Sequence, residues 1–371
     1  MNTIEFIKEH GINGLTEKLG IKVRREGGLV VLNYDQIESP KTDPVVMECR
    51  GLILEEDTLN VVSRSYDRFF NLGEALNVTP VIDWMNARVV EKVDGSLIRI
   101  YCHDYKWEVA TRGTAFADVP VGDWGITFRQ LTFKALGVET EEEFQELMNL
   151  SCLDSGTTYI FELTSVENRV VRAYEGYKLH FLGSRKNHGG FIDSHYEKQW
   201  LMDDACLLSG VIEFPKEYRF ESEQDCLDAV RELKNLDEGY VLYQGAVPTC
   251  KIKSPAYVAV HHIRGEGLNP RYCAELVLSG EEDEYLTYFP TDADILEPYI
   301  SAYGILLMEI RDAYRSTKHI ENQKDFALAI AEYKFKGVLF TTRSKGGEWQ
   351  QHFNETRLSW RVELLKEYVE E

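Results

Sequence analysis

Residues 91–96 read Glu91-Lys92-Val93-Asp94-Gly95-Ser96. Val89-Val90 lead into this stretch and Leu97-Ile98-Arg99-Ile100-Tyr101 lead out of it, both with the apolar richness of strands. Asp-Gly between two strands predicts a tight turn, because glycine takes positive φ at no steric cost. Such a turn presents Lys92 at its mouth. An amine held there can serve as a nucleophile when its neighbours favour the uncharged form. A lone lysine in this setting equally describes a solvated hairpin, so its company along the chain decides between the two.

Outward from Lys92 the pattern stays largely strand-like. Residues 21–25 and 29–34 flank Gly27-Gly28, and 51–55 and 60–64 flank Glu56-Asp57, both hairpin signals. Further strands are predicted at 107–111, 158–163, 178–183, 239–243 and 250–253, interrupted by helices at 140–148, 196–208 and 223–233. Strand hairpins with separate helices indicate an α+β fold built on antiparallel sheets. The character changes near Gly265-Glu266-Gly267. Beyond it apolar residues recur every three or four positions at 295–315, 322–335 and 356–368, and Glu281-Glu282-Asp283-Glu284 reads as a loop between helices. Two domains follow: 1–265, and a helical 266–371.

Composition narrows the function. The 371 residues suffice for two or three cores, and no apolar run approaches the roughly 20 residues of a membrane span. The start, Met1-Asn2-Thr3-Ile4-Glu5-Phe6-Ile7-Lys8-Glu9, is amphipathic and unlike a signal peptide. Seven scattered cysteines without a Cys-x-x-Cys pair favour a reducing compartment over a disulfide framework or zinc site. The net charge of −21 argues against a general nucleic-acid coat protein, so any nucleic-acid contact must use a concentrated basic surface. His261-His262 has no acidic or cysteine partner at ligand spacing and reads as a structural pair. No Gly-x-x-x-x-Gly-Lys phosphate loop occurs, so nucleotide binding would have to use the lysine motif.

Six further segments keep company with Lys92. They are Glu48-Cys49-Arg50-Gly51-Leu52-Ile53, the run from Arg68-Phe69-Phe70 to Glu74, Tyr159-Ile160-Phe161-Glu162-Leu163, Tyr177 to Leu182, Asp237-Glu238-Gly239-Tyr240-Val241, and Lys251-Ile252-Lys253-Ser254. In this order the set resembles the bacteriophage RNA ligase 1 family, a branch of the covalent nucleotidyltransferases. The resemblance implies an antiparallel-sheet nucleotidyltransferase (ATP-grasp-like ligase) domain at 1–265 and a C-terminal helical domain that helps select RNA. It implies ATP and magnesium (Mg2+) as cofactors, and single-stranded RNA or a nicked tRNA anticodon loop as substrate. A separate polynucleotide kinase-phosphatase is implied as partner, and a monomer in the cytoplasm, that of a host cell if phage-encoded. The alternatives are a DNA ligase or mRNA-capping guanylyltransferase of the same superfamily, or a non-catalytic RNA-binding relative.

On this reading Lys92 attacks the α-phosphorus of ATP. Lys251 and Lys253 alternate about Ile252 and so share one strand face, where they would lower the pKa of Lys92 by repulsion and hold the triphosphate. Arg50 and Arg68 are implied as phosphate ligands, and Arg112 stands where the family has a lysine. Glu162 suits a ribose hydroxyl and Glu238 a water on magnesium; together they are the implied metal pair. Asp94 and Gly95 shape the turn, and Phe70, Gly239, Val241 and Tyr257 complete the implied nucleotide-binding set. One of the rings Phe69 and Phe70 is expected in the core.

Overall fold

Alternation of apolar and polar residues folds the first part of the chain into three sheets. The computed structural model describes residues 1–370 apart from 37, 123, 152, 193, 235, 236 and 263–267. The first sheet is an antiparallel meander of β1 (Ile21–Glu26), β2 (Leu29–Tyr34), β3 (Arg50–Glu55) and β4 (Val61–Ser63). The third contains β5 (Phe70–Asn71), β6 (Arg88–Glu91), β11 (Glu217–Tyr218), β12 (Gly239–Gln244) and β13 (Val247–Lys253), in the order β11-β6-β12-β13-β5. The second contains β7 (Ser96–His103), β8 (Lys106–Thr111), β9 (Thr157–Thr164) and β10 (Lys178–Lys186), in the order β10-β9-β7-β8. Every pairing is antiparallel except β13 with β5.

The turn at Lys92 differs from the hairpin expected of it. β6 pairs with β12 and β11, whereas β7 pairs with β9 and β8. Lys92-Val93-Asp94-Gly95 therefore carries the chain from one sheet to another. Gly95 is absent from the positive-φ residues. Glycine is needed there for space, since a Cβ would lie 2.3 Å from the Leu163 carbonyl oxygen of β9.

Several helices also depart from expectation. Phe128–Leu136 was not anticipated, although Thr127 and Gln130 form a capping box and Gly137 closes it in the left-handed conformation. The helix expected at 196–208 is Ser194–Leu201. Just beyond it Asp203 Oδ1 accepts the Ala205 N–H at 2.9 Å, a local turn that competes with helix. The helix expected at 322–335 stops at Ala329, and another runs Lys336–Lys345. Ile330 and Phe335 are both fully buried, and five residues of continuous helix would put them on different faces. The acidic run expected as a loop lies largely within the helix Glu282–Tyr288, where negative side chains suit the positive end of the helix dipole.

The chain divides into two compact units, Met1–His261 and His262–Glu371. The boundary expected at Gly265-Glu266-Gly267 falls outside the described residues, as do the side chains of His261 and His262. Among the described residues the second unit is entirely helical, with Pro270–Ser279, Ala293–Thr317 and Leu358–Glu370 packed through Leu276, Leu296, Leu306, Ile310, Val362 and Leu365. No helix among the described residues is long and apolar enough to cross a membrane.

Candidate active site

The site assembles where the ends of β6, β12 and β13 meet β9. Lys92 follows β6, and its N–H donates to the Gly239 carbonyl at 2.8 Å. Its Nζ lies 2.8 Å from Glu238 Oε2, while the Lys253 Nζ lies 3.3 Å from Oε1 of the same carboxylate. Lys253 is thus near Lys92, as expected, but a carboxylate stands between the two lysines and pairs with both. That residue is 5% exposed. Burial alone would raise its carboxyl, but Lys92, Lys253 and Lys251 together hold it below the ordinary carboxylate value. Gly239 makes this convergence possible. Its φ is 142°, and a Cβ would stand 2.0 Å from the Ile252 carbonyl oxygen on β13.

Glu162, on β9, is the second carboxylate. Burial pushes it up to about 7, and Glu238 and Asp94 add to that while Lys92 and Arg50 oppose it. Among the described residues no group of three or more His, Cys, Asp or Glu side chains could hold a metal ion alone. Glu162 and Glu238, which feel each other's charge, would suit a hard cation that takes its remaining oxygens from water and phosphate, Glu162 giving up its proton to bind it.

Asp94 is 3% exposed and has both oxygens engaged. Oδ2 accepts the backbone N–H groups of Val171 at 2.9 Å and Arg172 at 2.7 Å, and Oδ1 accepts the Tyr257 hydroxyl at 2.7 Å. Asp94 and Tyr257 therefore shape the lysine turn together, Tyr257 by anchoring Asp94 from the far side. Ser96 completes the anchorage by donating to Asn168 Oδ1 at 2.8 Å. Val241, paired with Val90 and Lys251, lies in the apolar floor with Ile160, Tyr66 and Tyr243.

A group of cations surrounds Tyr34, a residue the sequence reading passed over. The Arg68 guanidinium lies 4.9 Å and that of Arg112 5.3 Å from its ring centre. Arg68 also sits 5.0 Å from the Phe70 ring, and Arg50 5.8 Å from that of Phe69. Phe70 is the more buried ring, 3% exposed beneath Arg68. Burial alone would raise the Tyr34 hydroxyl, yet Arg112, Arg50, Arg68 and Lys251 bring it down to about 8. Arg50 Nη1 and Arg68 Nε are buried without a hydrogen-bond partner. Unsatisfied buried donors on neighbouring guanidiniums could receive an anion with several oxygens, although Glu74 already faces Arg68 at 3.7 Å. Arg99, wholly buried, braces the group: it donates to the carbonyls of Gly51 and Thr111, the neighbours of Arg50 and Arg112.

Tyr34 and Arg99 escaped notice because each lies within an apolar strand, where periodicity assigns it to the core. Their contacts with residues 12 or more positions away leave no local signal in the sequence.

Residues 48–257 match the family described as RNA ligase. Over 316 residues the chain is 40% identical to a protein of Autographa californica nuclear polyhedrosis virus named as a bifunctional polynucleotide kinase/RNA ligase, covering 81% of this chain and 44% of that protein. The chain thus spans under half the length of this relative. It is 25% identical to the RNA ligase of Rhodothermus phage RM378, covering 93% of this chain and 92% of that one. Among solved structures, an archaeal ATP-dependent RNA ligase shares 13% identity at a TM-score of 0.49, over 94% of this chain and 83% of that one.

Proposed function

Because this chain belongs to the RNA ligase family, we propose that it is an ATP-dependent enzyme that joins RNA 3′-hydroxyl and 5′-phosphate ends. Lys92 attacks the α-phosphorus of ATP, forming a lysyl-adenylate and releasing pyrophosphate. The adenylate passes to an RNA 5′-phosphate, and a 3′-hydroxyl then displaces AMP. Charge grows on phosphate oxygens in every step, so alignment and positive charge supply most of the rate enhancement. Arg50, Arg68 and Arg112 receive the β- and γ-phosphates, and Lys251 and Lys253 line the path of the α-phosphate. Glu238 orients the Lys92 amine and has to release it before attack. Magnesium, when bound, would be held by Glu238 and Glu162 and adds positive charge where the phosphate oxygens develop theirs.

The observation that carries this reading is the Lys92–Glu238–Lys253 relay beside arginines whose buried donors lack protein partners. Incubation with α-labelled ATP and magnesium should attach AMP to Lys92, located by mass spectrometry, and the protein should seal 5′-phosphorylated RNA. Labelling by GTP would indicate a capping guanylyltransferase instead, and sealing confined to DNA a DNA ligase. No labelling by any nucleotide would indicate a non-catalytic relative. The helical second unit favours the RNA ligase, since DNA ligases and capping enzymes usually append an OB-fold of short strands.

For the substrate we place a nicked tRNA anticodon loop first, with the helical unit contributing RNA selection. The kinase activity in the name of the baculovirus relative supports an end-healing polynucleotide kinase-phosphatase acting beforehand. The protein would work as a monomer in the cytoplasm, in keeping with the free thiols of its described cysteines.

A further inference from the structure

Arg172 lies outside the residues drawn from the sequence, yet it reaches both segments that carry the relay. Its Nη1 donates to Glu91 Oε1 at 3.1 Å and forms an ion pair with Asp237 Oδ1 at 2.6 Å that lacks hydrogen-bond alignment. Glu91 is the residue before Lys92, and Asp237 the residue before Glu238. Its backbone N–H donates to Asp94 Oδ2, two residues beyond Lys92. One residue thus grips the lysine turn on both sides and also the neighbour of the lysine's partner carboxylate. Tyr174 steadies the arrangement: its ring lies 5.0 Å from the guanidinium, and its hydroxyl accepts the Asp94 N–H at 3.3 Å.

The location explains why such a grip matters. β6 ends at Glu91 and β12 begins at Gly239, so Lys92 and Glu238 each lie one residue past the paired strands. Beyond the ladder the bond from the Lys92 N–H to the Gly239 carbonyl continues the register, and the Ser254 N–H holds the Glu238 carbonyl at 2.7 Å. The side chains of Arg172 and Asp237 are 31% and 29% exposed. An ion pair so open to water adds little to stability. A displacement of about 1 Å at a reacting centre, by contrast, can cost on the order of 100-fold in rate.

We propose that Arg172 is a positioning residue for nucleotidyl transfer, cross-linking Glu91, Asp94 and Asp237 so that Lys92 and Glu238 stay in register while Arg172 itself touches no reacting atom. This rests on the reading of the site as an adenylation centre.

The test uses the full chain and Arg172→Met, which keeps the stem and removes the charge. Single-turnover lysyl-adenylate formation at saturating ATP should fall about 10- to 100-fold, with the ATP KM changed by no more than about twofold. The melting temperature should stay within about 3 °C of the parent. Asp237→Asn should lower the rate in the same direction, and the double variant should be no slower than Arg172→Met alone. Without ATP, acylation of Lys92 by an N-hydroxysuccinimide ester, followed by mass spectrometry, should change several-fold in Arg172→Met. An unchanged adenylation rate, a loss confined to KM, or additive single effects would overturn the proposal. Unchanged Lys92 acylation would overturn it as well, even if the parent failed to adenylate, a result that would instead remove the functional reading. Should Arg172→Met not fold, Asp237→Asn decides by the same two measurements.

Discussion

Lys92 is surrounded by side chains that are distant in sequence, and single substitutions can separate their parts. Lys92→Ala should abolish covalent labelling by ATP and RNA sealing, and Lys92→Arg should not restore either, because guanidinium keeps its proton; a labelled alanine variant would move the nucleophile elsewhere. Arg50→Ala and Arg68→Ala remove donors for the β- and γ-phosphates. Self-adenylation should therefore suffer more than sealing of pre-adenylated RNA, and equal losses on both substrates would point to general damage. Glu162 offers a test by pH. Its carboxyl is raised to about 7 from an ordinary 4.5, so the folded chain holds a proton that the unfolded chain has released. The associated stability is fully present below about 4.5 and is lost as pH rises through about 7. Without ligands, Glu162→Gln should then melt above the parent at pH 8, by on the order of 2 kcal/mol after allowing for partial solvent access, with the gap closing near pH 5. A gap that is independent of pH would refute this origin. The convergence of one group of residues was legible: Lys92, Glu238 and Lys253 meet within hydrogen-bonding distance. The order of charges was not, because the position of Glu238 between two lysines depends on three strands at once.

At the scale of elements, the strand ends are held together by close backbone approaches. Gly239→Ala would drive a Cβ into the Ile252 carbonyl at a φ suited to glycine. We expect β12 and β13 to part there at a cost of about 3 kcal/mol, visible as a lower denaturation midpoint, with adenylation lost. Gly337→Ala, in a helix with nothing within 4 Å of its added Cβ, should leave both unchanged or raise stability slightly. Comparable losses in the two variants would show that glycine content, not contact, sets the effect. The hairpin of β1 and β2 was legible because its turn and its apolar alternation lie in one short stretch. The partner of β6 was not. Adjacent strands usually pair, yet β6 and β7 separate into different sheets, and only tertiary packing decides between these outcomes. The helix Phe128–Leu136 carries caps that are legible in the sequence, whereas apolar periodicity alone does not mark it.

For the whole molecule, a fragment ending at about residue 265 should fold and adenylate Lys92, since every residue of the relay and the arginine group lies in the first unit. Removing the helical unit should weaken sealing of a nicked anticodon stem-loop more than sealing of a short oligomer, because remote binding energy aids only substrates that reach it. A soluble fragment that cannot adenylate would make the helical unit part of the active site. With a net charge of −21, binding must rest on few phosphate contacts, so RNA affinity should fall only shallowly with salt. By itself the sequence determined the α+β class, the helical character of the last third, and the ordered motifs that assign the chain to its family. These are local properties: periodicity, turn chemistry and spacing are written in adjacent residues. Only the tertiary structure decided that the lysine turn crosses between sheets, that Asp94 and Tyr257 are spent on shaping it, and that Tyr34 lies among cations. It alone brought Arg172 to the neighbours of both Lys92 and Glu238. Each of these depends on contacts between residues tens to hundreds of positions apart, which form only when strands from separate parts of the chain are packed together.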